Sequence, residues 1–98
     1  MSAYIIFIRN RTLDESTLQE YRKLAAGAVA KHPSTRRVSP GTAVDVLEGE
    51  PAEGVIMLEF ETVEAARAFY ESPDYQAASV LRRQGGDYRV MIVEGSTA

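Results

Sequence analysis

Glu59 is the first residue to weigh for chemistry, because it interrupts an apolar run, Val55-Ile-Met-Leu-Glu-Phe60. In an extended chain Ile56, Leu58 and Phe60 share one face, while Val55, Met57 and Glu59 share the other. If the first set meets helices, Glu59 points into whatever covers the opposite face. A carboxylate there has to be paired, protonated or functional. The functional reading is a general acid or base with a raised pKa. The structural alternative is a salt-bridge or hydrogen-bond partner for Arg89 or Tyr88. His32, the single histidine, has its ordinary pKa near neutrality. It is either a second catalytic group at the mouth of a site or a solvated residue at a helix C-terminus. Tyr4, Tyr21 and Tyr88 suit the orientation of a carbonyl or phenol in an apolar cavity, or plain core packing. Arg36 and Arg89 suit a carboxylate ligand, or pairing with Glu59, Glu61 or Asp45. The expected catalytic residues are therefore Glu59 and His32, with Tyr4, Arg36, Tyr88 and Arg89 binding substrate.

Much other chemistry is excluded. The absence of cysteine removes a thiol nucleophile, a disulfide scaffold and every thiolate metal site. One histidine rules out a multi-histidine metal site within one chain, and no metal or cofactor is expected. Any serine triad would depend on that same histidine. Gly85-Gly86 is a turn, and no Gly-rich phosphate loop is present. Glu48, Glu50 and Glu53 read as a solvated loop rather than a cation site. Asn10-Arg-Thr12 matches a glycosylation sequon, which has no meaning without export. A net charge of −3 is the wrong sign for a nucleic-acid binder. The charge is uneven, with +4 over residues 1–37 and −7 over the remainder. The basic excess gathers at Lys31, His32, Arg36 and Arg37. Lys31 and His32 either complement the dipole of a helix ending there or form an anion-facing rim with the arginines. No apolar run is long enough to span a membrane, and the N-terminus has no charged region leading into an apolar one. A cytoplasmic location with no membrane partner is expected.

The elements that must position these groups follow from the apolar pattern. Ala3 to Ile8 is a buried strand. Thr12 and Ser16 each have capping-box spacing for a helix carrying Leu18, Tyr21, Leu24, Ala25, Ala28 and Val29, which ends at His32 before Pro33. Pro40-Gly41 separates two extended pieces between Arg36 and Glu48, the second a half-exposed strand around Val44 to Leu47. After a polar loop, Val55–Phe60 is a strong strand. Thr62 caps a short helix with Val63, Ala66, Phe69 and Tyr70 on its apolar side. Ser72-Pro73-Asp74 starts another helix carrying Tyr75, Ala78 and Leu81, ending before Gly85-Gly86. Tyr88–Val93 is the last strand. The order β-α-β-β-α(α)-β over residues 1–98 is that of one ferredoxin-like α+β domain, with a four-stranded antiparallel sheet and helices on one face. Ninety-eight residues bury about 65% of the unfolded surface, enough for one modest core.

An antiparallel sheet with one wet face alternates apolar and polar residues. These three strands are apolar on both faces, so the face without helices needs a cover. A second copy related by a two-fold axis supplies it, giving a homodimeric α/β barrel.

Leu47-Glu-Gly-Glu50, the strand Val55-Ile-Met-Leu-Glu-Phe60 and Phe69-Tyr-Glu-Ser-Pro-Asp-Tyr-Gln76 followed by Leu81-Arg82 resemble the bacterial family catalogued as domain of unknown function 1330. The likeness runs from Tyr4 to Glu94. It implies the ferredoxin-like fold and the dimeric barrel, and kinship with small barrels that include monooxygenases, lactone isomerases and polyketide cyclases. It implies no particular reaction. Pro33-Ser34 replaces glycines found in many relatives, and Ser39-Pro40-Gly41 lacks the arginine that relatives tend to carry before the middle turn. The expected function is a cofactor-independent enzyme, of isomerase, cyclase or monooxygenase type, acting on a small apolar carbonyl compound. The alternatives are a small-ligand binder without chemistry and a dimerisation or interaction module. A ligand reading calls for a cavity of roughly 300 Å³ lined by Glu59.

Overall fold

The computed structural model describes residues 2–96. Strand β1 (Ala3–Thr12) leads into helix α1 (Glu15–Ala30), and a short strand β2 (Thr35–Val38) follows. After a long irregular segment come β3 (Gly54–Phe60), α2 (Val63–Glu71), α3 (Pro73–Gly85) and β4 (Gly86–Glu94). The sheet order is β2-β3-β1-β4, antiparallel throughout. This is the expected ferredoxin-like α+β arrangement, with three helices and four strands.

Local chemistry explains the helix ends. Asp14 caps α1 by accepting the Ser16 and Thr17 amides at 3.1 and 3.4 Å. Neither Thr12 nor Ser16 is the cap, because the Asp14 carboxylate reaches those amides and also holds the Ser16 hydroxyl at 2.8 Å. Helix α1 stops at Ala30, two residues earlier than expected. Lys31 is its C-cap, and its ammonium pairs with Asp74 at the start of α3. Lys31 thus ties two helices together. Thr62 and Ser72 cap α2 and α3 as expected, with Pro73 in the first turn of α3. Gly85 does more than turn the chain. Its carbonyl accepts the Leu13 and Asp14 amides at 2.8 and 2.9 Å, and a Cβ there would lie 2.8 Å from Leu18 Cδ2.

The expected strand at Val44–Leu47 does not form; that stretch is irregular, and Leu47 is 86% exposed. Its apolar residues have no sheet neighbour, because β2 ends at Val38 opposite Met57.

Register sorts the side chains. Ala3, Ile5 and Phe7 of β1 lie opposite Phe60, Leu58 and Ile56, and these pack beneath the helices with Leu18, Tyr21, Phe69, Tyr75 and Ala78. On the other face Tyr4, Ile6 and Ile8 lie opposite Glu59, Met57 and Val55, and opposite Val93, Met91 and Arg89. That face carries no helix. Among the described residues no helix is long and apolar enough to cross a membrane.

Candidate functional site

Aromatic residues dominate the space between the helices and the sheet. Tyr75 lies at its centre, 1% exposed, with ring centroids of Phe69, Tyr70, Phe7 and Tyr21 at 4.9, 5.4, 6.0 and 6.3 Å. Beside Tyr75 lies a cleft of about 180 Å³. Helix α1 contributes Tyr21, Arg22, Ala25, Ala26 and Val29 to its wall, and the sheet contributes Phe7, Ile56 and Leu58. Arg36 and Pro40 lie at the β2 side.

One polar chain enters this apolar wall. The Tyr21 and Tyr75 hydroxyls are hydrogen-bonded at 2.8 Å, and Arg82 Nη1 donates to the Tyr75 oxygen at 2.7 Å. Arg82 is 5% exposed and also bonds the Tyr70 side chain. Its guanidinium carbon lies 5.8 Å from the Tyr88 ring centre and 6.0 Å from that of Tyr75, within cation–π range. Burial opposes the Arg82 charge, but the Tyr75 and Tyr70 oxygens outweigh it and raise its pKa further.

Burial also raises the pKa of Tyr21, with Tyr75 beside it adding to the effect, and burial raises that of Tyr75 against the pull of Arg82. Both phenols are therefore proton donors across the working range. The consequence for stability has a definite sign. A free tyrosine loses its proton near about pH 10. Above that pH the unfolded chain binds fewer protons than the folded one at these two positions, so stability falls as pH rises. Alkaline titration is expected to leave two of the five tyrosines protonated until unfolding, and tyrosinate absorbance followed together with circular dichroism checks this. Full ionisation before loss of structure would contradict the burial.

The sheet divides the six residues expected from sequence. Arg36 lies opposite Leu58, so its side chain is on the helix side, at the cleft. Tyr88 lies opposite Arg9 on the same side and stacks near Arg82 rather than lining the cleft. His32 packs edge-on against Phe69, centroids 5.6 Å apart, and does not itself line the cleft. Tyr4, Glu59 and Arg89 are on the open face.

Glu59 departs from expectation in two ways. Its partner is Arg37, whose Nε donates at 2.6 Å, rather than Arg89 or Tyr88. The reason is topological: β1 separates β3 from β4, while an irregularity between Arg36 and Val38 turns Arg37 towards Glu59. Its pKa is lowered rather than raised, by the Ser2 hydroxyl first and Arg37 second. Glu59 and Arg37 line a groove of about 300 Å³ at the sheet edge, with Ser2, Pro33, Ser34 and Thr35. The groove reaches the size a ligand needs but is more polar than the cleft and separate from it.

Tyr75 and Arg82 were not singled out as site residues from the sequence, yet a signal existed. The buried stripe of α3 is Tyr75, Ala78, Ser79, Arg82 and Gly85. Offsets of three, four, seven and ten from Tyr75 put Arg82 on the apolar face, where an arginine has to have a reason. Among the described residues no three His, Cys, Asp or Glu side chains stand together as a metal site would need.

The arrangement is that of a ferredoxin-like α+β protein with an apolar cleft under its helices and an arginine-backed tyrosine pair in the wall. The chain belongs to the family described as Domain of unknown function (DUF1330), whose family model matches residues 2–96. No curated protein matches it. Among solved structures it is similar to a dimeric ferredoxin-like protein of unknown function from Jannaschia sp. CCS1, at 15% identity and a TM-score of 0.74, covering 97% of this chain and 100% of that one. It is similar to a hydroxynitrile lyase from Passiflora edulis, at 11% identity and a TM-score of 0.70, covering 99% and 95%. It is also similar to SnoaB, a cofactor-independent oxygenase from Streptomyces nogalater, at 9% identity and a TM-score of 0.66, covering 99% and 94%. At these identities the likeness concerns the fold.

Proposed function

We propose that the protein is a cofactor-independent enzyme acting on a small, mostly apolar carbonyl compound held in the cleft beside Tyr75. The observation that carries this is the Tyr21–Tyr75 hydroxyl pair backed by Arg82, set in a mostly apolar recess with Arg22 and Arg36 in its lining. Apolar walls with a few placed polar groups are what ligand sites have in common. A phenol kept protonated by burial is suited to donate to a carbonyl oxygen as negative charge develops on it, while the guanidinium behind it stabilises that charge. Arg36 at the rim would orient the far end of the substrate. A cofactor-independent oxygenase and a hydroxynitrile lyase share the fold, and the first supports a reaction that needs no cofactor.

The test is turnover of a panel of β-keto acids, lactones and phenols by the wild type, Tyr75→Phe, Glu59→Gln and His32→Ala. Tyr75→Phe is expected to lower kcat by about 10²-fold while the ring stays in place. If instead Glu59→Gln or His32→Ala abolishes turnover and Tyr75→Phe does not, the chemistry lies outside the cleft.

The working unit in this reading is a homodimer joined through the open sheet face. Tyr4, Ile6, Ile8, Val55, Met57, Met91 and Val93 leave a contiguous apolar surface there, and the ferredoxin-like protein from Jannaschia is itself dimeric. Glu59 and Arg37 would then stand at the edge of the joint. A non-catalytic ligand binder remains the second reading, and it is favoured if the panel binds in the cleft without turnover.

A further inference from the structure

We propose that the ligand of this cleft is a small organic monoanion about one ring in size, whose charged oxygen accepts a hydrogen bond from the Tyr21–Tyr75 pair with the buried Arg82 charge behind it. This rests on the reading of the cleft as a ligand site and adds the ligand's charge and dimensions.

The first support is an unbalanced charge. Arg82 is 5% exposed; among the described residues its side-chain hydrogen bonds go to phenol oxygens, and its Nε has no partner. No carboxylate lies within ion-pair distance of it among the described residues. Buried guanidinium groups are ordinarily paired with an anion. The charge that would balance this one is missing among the described residues.

The second support is a count of protons. Tyr21 and Tyr75 carry two hydroxyl protons between them, and the bond joining the two oxygens uses one. Arg82 brings a further proton to Tyr75 rather than accepting one. Whichever way the pair is oriented, one hydroxyl proton has no acceptor among the described residues, and both tyrosines line the cleft. Buried phenols ordinarily find a partner. The missing partner is an acceptor.

The third support is the sign and size of the lining. Among the described residues its only charged members are arginines, Arg22 and Arg36. Arg22 is occupied by Glu15 at 2.8 Å, whereas Arg36 is exposed and has no ion pair among the described residues. An apolar cavity of about 150 Å³ accommodates benzene, so 180 Å³ accommodates one ring with a small substituent.

Isothermal titration with benzoate and with its neutral isostere benzamide tests the proposal without requiring turnover. Benzoate is expected to bind at least tenfold more tightly to the wild-type protein, and Arg82→Met is expected to bring the two within about twofold. If Arg82→Met does not fold, the double variant Tyr21→Phe/Tyr75→Phe keeps both rings, removes both donors and is expected to abolish the preference. Equal binding of the two probes overturns the proposal, as does a preference that survives these substitutions. So does a preference lost in Arg36→Gln but kept in Arg82→Met, since the anion would then sit at the rim. Absence of binding by either probe up to about 1 mM overturns it as well. Anion selectivity without turnover would sink the enzymatic reading and leave this one standing, and turnover without selectivity would do the reverse.

Discussion

Replacing Phe69 by alanine is expected to cost about 3–5 kcal/mol of stability, a large fraction of what a small domain typically has. Phe69 is 1% exposed and joins three elements. Its ring lies 5.4 Å from Phe60 on β3, 4.9 Å from Tyr75 on α3 and 5.6 Å from His32 beyond α1. Each neighbour is fixed by its own element, so the space left by the ring cannot close. It also adjoins an existing opening, because Phe69 forms part of the cleft wall. The void would merge with the 180 Å³ already present, and dispersion contacts would be lost on both sides. Urea unfolding is the measurement, with the midpoint shifted and the slope unchanged if the native state keeps its compactness. Phe69→Leu, which refills part of the volume, is expected to lose much less. A cost near 1 kcal/mol for the alanine variant would mean that α2 collapses onto α3, and the cleft would then be far more plastic than these contacts allow.

Phe69 was legible in the sequence, and so was most of the frame around it. The caps at Thr62 and Ser72, the proline at 73 and the alternation of β3 were readable because each is a local signal acting over three or four residues. The boundaries of α1 were less readable. Asp14, Ser16 and Thr12 all compete to cap it, and the choice depends on where β1 ends, which extends to Thr12. The site was half legible. Arg36 was singled out for its charge as a carboxylate or substrate binder, and the alternation of β2 puts it at the cleft. Glu59 was correctly assigned to the open face, but its partner depended on strand order and on an irregularity in β2, neither of which leaves a local mark. Arg82 was overlooked because counting by threes from Tyr75 lands on Leu81, whereas the helical face drifts to Arg82 after two full turns. A charged residue on an apolar stripe is the kind of local inconsistency that marks a site.

The open face leads to the other large effect, Ile6→Asp. Ile6 lies mid-strand on β1, opposite Met57 on β3 and Met91 on β4, with Tyr4 and Ile8 before and after it on the same face. If two chains pair through this face, the position is buried in both, and the two-fold axis introduces the carboxylate twice. Taking an ion out of water into such a joint costs several kcal/mol after relaxation. Two of them approach or exceed the roughly 8 kcal/mol that holds a micromolar dimer. Light scattering at micromolar concentration is expected to give the wild type twice the 10.8 kDa chain mass and Ile6→Asp the single mass. Val80→Asp, at a 49% exposed position on α3, is the control and should keep the doubled mass. If Ile6→Asp does not fold, Val93→Asp at the 42% exposed end of β4 introduces the same charge on the same face with less demand on the chain itself. A doubled mass in both open-face variants would place the joint elsewhere, and the apolar sheet would then need another cover. The dependence on concentration separates these outcomes, because a face that merely sheds water has no reason to stop at two copies, whereas an isologous joint closes on itself.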